Sequence, residues 1–153
     1  MKENLEKLVE IKIENCEEFR KYLKILFKKA SYIHYIILDK DPYDNSLFEN
    51  YFKKNGIKPK ITRLWPGTMS GGNNLLYNAP LTKELKNIIL SFESFFIPSY
   101  DRDGQYTPKK TSWGISDICF YDINSELLSY TTTHEGWMFA NTEILKELKE
   151  FEI

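Results

Sequence analysis

The sequence predicts an α+β fold: one domain over residues 1–153, with a mixed or mostly antiparallel sheet and helices packed on one face. Three observations point there. Apolar residues recur at helical spacing in several separate stretches. β-branched and aromatic runs of strand length lie between them. Strands also follow one another directly near the C-terminal end, so the order is not a simple βαβ alternation.

Leu8 to Ile13 alternates at Val9, Ile11 and Ile13, which suits a short strand, although Leu5, Leu8 and Val9 would also fit a helix. Asn15 and Glu18 have capping-box spacing. Phe19, Tyr22, Leu23, Leu26, Phe27 and Ala30 then form one helical stripe, opposite Lys21, Lys24, Lys28 and Lys29. Tyr32 to Leu38 reads as a buried strand. Ser46 with Glu49 is a second capping box, and Leu47, Phe48, Tyr51 and Phe52 give that helix one apolar face. Asn55-Gly56 closes it.

Lys60 to Trp65 reads as a strand stopped by Pro66-Gly67. The Ser, Gly and Asn residues that follow, as far as Pro80, predict a loop. Thr82 caps a helix with Leu85, Ile88, Ile89, Phe92 and Phe96 on one side, and Pro98 ends it. Ser99 to Thr111 reads as a polar loop. Trp113 to Tyr121 and Glu126 to Thr133 are expected to form a hairpin about Asp122–Ser125. A short strand at Trp137–Phe139 and a last helix capped by Asn141 or Thr142 complete the series, with Ile144, Leu145, Leu148 and Phe151 facing inward.

Composition bounds the function. Of the basic residues 18 are Lys and only 3 Arg; Ile is 16, Asn 11 and Ala 3, a skew expected of an AT-rich bacterial gene or acquired island. The formal net charge of −1 argues against a generic nucleic-acid binder. The first residues, MKENLEKLVE, carry no apolar signal core, and the long uncharged run Leu64–Thr82 is broken by Pro and Gly. A cytoplasmic protein with no membrane partner is therefore expected, and Cys16 and Cys119 are expected to be reduced.

The catalytic inventory is thin. His34 lies within an apolar run, as strand histidines do. His134 stands beside Glu135 at a strand end, where a general base could sit, but strand neighbours point to opposite faces. There is no nucleophile elbow or phosphate loop. Asp101-Arg102-Asp103-Gly104 resembles the start of a calcium loop but lacks its later ligands. The two cysteines and two histidines have no zinc spacing. No cofactor or metal is expected.

Charge is unevenly spread. Residues 1–63 carry a net +4, residues 64–100 a net of 0, and residues 101–153 a net −5. The acidic part interleaves carboxylates with Tyr and Trp, a composition that suits a protein-binding face: rings supply contact area and charges steer a basic partner. The plainer alternative is that the rings are core and the acids solvated turns. For a binding face the candidates are Asp101, Asp103, Asp117 and Glu135, with Trp65, Tyr100 and Trp137 as apolar anchors.

The stretch Trp113 to Trp137 (WGISDICFYDINSELLSYTTTHEGW), with Arg63 to Thr68 (RLWPGT) before it, resembles the small α+β immunity proteins of bacterial polymorphic and contact-dependent toxin systems. The resemblance implies a cytosolic, enzymatically inert chain. Such a chain binds the C-terminal domain of a cognate toxin, often a nuclease, and covers its active site or substrate groove. No contact residue carries over from it. Two rival readings stand beside it: a small hydrolase using His134 and Glu135 with a loop carboxylate such as Asp103, and a regulatory protein-binding module unrelated to toxins.

Overall fold

The computed structural model describes residues 7–13, 15–96 and 113–150. Its strands are β1 (Leu8–Ile11), β2 (Tyr32–Ile37), β3 (Lys60–Trp65), β4 (Thr68–Pro80), β5 (Asp117–Tyr121), β6 (Leu127–Thr132) and β7 (Trp137–Asn141). Its helices are α1 (Cys16–Lys29), α2 (Ser46–Lys54), α3 (Lys83–Leu90) and α4 (Thr142–Glu150), with a 3-10 turn at Thr133–Glu135. The strands form one antiparallel sheet in the order β1-β7-β6-β5-β2-β4-β3. The expected α+β class holds, with helices on one face.

The alternation of each strand separates two environments. Ile33, Tyr35 and Ile37 of β2, Tyr77 and Ala79 of β4, and Ile118 and Phe120 of β5 share a cluster with apolar residues of all four helices. Trp113 sits in that cluster edge-on to Tyr35, Phe48, Phe92 and Phe95. Its indole N–H donates to the Ser116 carbonyl at 2.7 Å. Tyr35 and Ser116 in turn donate to Asn45 Oδ1, both at 2.7 Å, so the polar atoms beneath α2 are paired.

Local signals explain most helix ends. Asn15 Oδ1 accepts from Glu18 N–H at 2.9 Å, and Thr82 Oγ1 from Leu85 N–H at 3.2 Å. For α2 the expected cap shifts by one residue. Asn45 occupies the cap position, its side chain committed to Tyr35, Ser116 and Asp41, while Asp44 Oδ1 accepts from Ser46 N–H. For α3, the described helix stops at Leu90.

The loop expected through Pro80 is instead the long strand β4. Its second half pairs with β2 from Leu75 to Pro80, and its first half with β3. Between the pairs Thr62–Asn74 and Leu64–Met69, Arg63 alone lies opposite Ser70 to Asn73. This irregularity bends the ribbon. Buried Asn74 stabilises the bend: its amide donates to the carbonyls of Thr62, Ser70 and Gly71 at 3.0–3.4 Å, and its Oδ1 accepts from Asp39 N–H at 2.9 Å. Gly72 has φ +93°, and a Cβ there would lie 2.7 Å from the Asp39 carboxylate.

Asn74→Ala removes that set of hydrogen bonds from a buried position. The expected loss is about 2 kcal/mol of stability, read as a lower urea midpoint with an unchanged slope.

Candidate partner-binding site

The second face of the sheet carries no helix among the described residues. Its cluster consists of Leu8, Ile36, Trp65, Leu76, Cys119, Tyr121, Leu127 and Tyr130, with Tyr32, Leu38 and Phe139 beside them. Tyr32 stacks on Tyr121 at 5.0 Å between centroids, and His34 packs at 4.7 Å from the same ring. The bent β3–β4 ribbon folds over this face. A Cβ on Gly67 at its turn would fall 2.4 Å from the Tyr130 ring and 3.0 Å from Thr132 Oγ1. With φ +79° as well, Gly67 is the residue type that lets the turn lie so close.

Asp117 fixes the ribbon there. It is the first residue of β5 and is 0% exposed. Its Oδ2 accepts from Trp65 Nε1 at 2.8 Å, and its Oδ1 from Thr133 N–H at 2.8 Å. One carboxylate therefore ties the hairpin tip to the turn that carries His134 and Glu135. Burial raises the Asp117 carboxyl above the usual range, opposed by its hydrogen bonds to Thr133 and Trp65 and the nearby His134 charge.

These contacts place the candidate residues. Trp65, Asp117, Glu135 and Trp137 come to one end of the sheet, because Trp137 pairs with Thr132 and Thr132 lies under Gly67. Their roles differ from those expected. Trp65 is 4% exposed and Asp117 is fully enclosed, so they hold one another and are not free surface contacts. Glu135 is exposed and Trp137 is 47% exposed. Tyr100, Asp101 and Asp103 lie outside the described residues.

His134 and Glu135 were expected to diverge along a strand. In the 3-10 turn they meet instead, Nε2 to Oε1 at 3.4 Å, as a solvent-screened pair. Among the described residues, no three His, Cys, Asp or Glu side chains gather into a metal-binding group. Cys16 and Cys119 are not joined in a disulfide.

Sequence reasoning missed the outer side of the hairpin. Leu64 and Met69 are cross-strand partners, 71% and 84% exposed, on the side away from Trp65. The signal was available: once residues 68–80 are a strand, alternation from buried Trp65 puts Leu64 outside. No protein-family model, curated protein or solved structure matches the chain. No helix of the described residues is long and apolar enough to cross a membrane.

Two outcomes follow from this geometry. Gly67→Ala forces the hairpin turn off Tyr130 and costs about 1–3 kcal/mol, with a change in Trp65 emission as its indole leaves Asp117. His34 supplies a pH signature. Burial and then the Lys60 charge depress its pKa from 6.5 to about 4. The folded state therefore binds this proton more weakly than the unfolded chain does. The stability it contributes is complete above pH 6.5 and is lost as pH falls towards 4. His34→Gln should flatten the urea midpoint across that window. Asp117, whose pKa is raised, acts in the opposite sense and cannot mimic the effect.

Proposed function

We propose that this chain is an immunity protein that binds and neutralises a cognate bacterial toxin domain, a nuclease, by covering its active site or substrate groove. The observation that carries the reading is the pinned turn at residues 133–137. It presents an exposed carboxylate, Glu135, beside a half-exposed indole, Trp137, on backbone anchored by a buried acid. A large ring flanked by charge is the composition of an interface hot spot. A rigid support reduces the ordering cost of binding. The resemblance of Trp113–Trp137 to immunity proteins points the same way.

A nuclease groove is basic because its substrate is a polyanion. A carboxylate on the inhibitor steers it to that groove, and the indole supplies buried area once water is excluded. In this reading the chain performs no chemistry and works in the cytoplasm, where an arriving nuclease domain would act.

The test is co-expression with the C-terminal domain of a toxin gene next to this one. The chain should restore growth and co-purify with that domain. Trp137→Ala should weaken the complex by about 2 kcal/mol or more, and Glu135→Lys should slow association, with both variants still folded. Failure of the wild-type chain to protect would overturn the proposal.

A further inference from the structure

The β3–β4 hairpin has an inner side and an outer side, and only the inner one is used by the fold. Trp65 and Gly67 are committed to Asp117 and Tyr130, and Pro66 between them is buried. On the outer side Leu64 and Met69 stand together in water, and Ile61, 61% exposed, lies on the same outermost strand. The bend that holds them is fixed by the Asn74 amide, by Arg63 Nε donating to the Gly72 carbonyl at 3.3 Å, and by Asp39 accepting from Asn73 N–H at 3.1 Å. Two large apolar side chains are thus displayed on an ordered ribbon.

Charge indicates what can cover them. From Asn55 to Thr82 the sequence holds Lys58, Lys60 and Arg63 and no acidic residue. All three side chains are exposed. Asp39 and Asp117 both bond to the ribbon, and their carboxylates are engaged by Asn73 and by Trp65 and Thr133. A second copy of the chain would bring Lys60 and Arg63 against their own counterparts, so like charges oppose self-pairing along β3. Three cations on a chain of net charge −1 make a poor phosphate track, and the aromatic rings of this ribbon, Trp65 and Tyr77, are buried and unavailable for base stacking.

We propose that the outer edge of β3 is a docking surface for an extended protein segment that alternates acidic and apolar residues. Main-chain groups of Lys60–Trp65 lie at the sheet edge and add the segment as a further strand. Leu64, Met69 and Ile61 receive its apolar side chains, and Lys58, Lys60 and Arg63 its carboxylates. This rests on the reading of the chain as a protein-binding module but not on the partner being a toxin. It adds a contact surface distinct from Glu135 and Trp137.

The test follows the methyl resonances of Ile61, Leu64 and Met69 in the full chain by NMR. The probe is a short synthetic peptide alternating glutamate with leucine, capped by serines. Its control replaces each glutamate with lysine, and a DNA duplex is the third probe. Saturable shifts of these methyls are expected with the acidic peptide alone, about tenfold weaker in high salt. Lys58→Glu with Lys60→Glu, which leaves Arg63 and the bend in place, should abolish them while the buried Ile144 methyl keeps its position. No saturable shift at millimolar peptide would overturn the proposal. So would equal shifts with the lysine peptide, or shifts caused only by DNA. A chain that takes the acidic peptide yet fails to protect against the neighbouring toxin domain leaves this surface standing and removes the immunity reading.

Discussion

A carboxylate fully enclosed at the head of the central strand organises this molecule. Burying Asp117 costs free energy that only paired donors recover, and the donors come from two distant parts of the chain. Trp65 arrives on a hairpin that crosses the sheet, and Thr133 arrives from the turn after β6. Neither packs there for apolar reasons alone. A hydrophobic substitute at residue 117 could fill the space but could not specify which indole N–H and which backbone N–H meet.

The same constraint divides structural from displayed residues. The strand's alternation sends Trp65 inward and Leu64 outward, so fixing the first fixes the second. The turn at residues 133–135 behaves likewise: Thr133 is buried, and His134, Glu135 and Trp137 stand in solvent beside it. The surfaces proposed for recognition are thus the reverse sides of internal contacts, and a change that loosens Asp117 disturbs both.

Much of the fold was legible because local physics and tertiary packing agree. The Phe19–Phe27 stripe, the caps at Asn15 and Thr82, and the β5–β6 turn follow from spacing and turn chemistry. Strand β4 was not legible. Ser70-Gly71-Gly72-Asn73 has loop composition, and only the distant partners Asp39 and Thr62 make an extended, bulged strand of it. The candidate site was half legible. Reading acids and rings as one surface singled out Glu135 and Trp137, which are exposed, together with Asp117 and Trp65, which are not; nothing local in the sequence reveals that these two satisfy each other 52 residues apart. Composition reports that a carboxylate exists; burial depends on what folds over it.

The pairing of β1 with β7 bears on how the molecule is made. Leu8 lies opposite Asn141 and Ile11 opposite Met138, so the first of the described strands borders the last of them. On a ribosome, Leu8–Ile11 emerges long before its neighbour exists, and its ladder groups must wait. Pairing on that side closes the long loop from Leu8 to Asn141, which is slow to form because its contacts are far apart in sequence. During synthesis the opposite half, where β2 and β4 pair around α2, has its partners first. The nascent chain therefore has the partners for the β3–β4 hairpin before it has those for the β1–β7 edge.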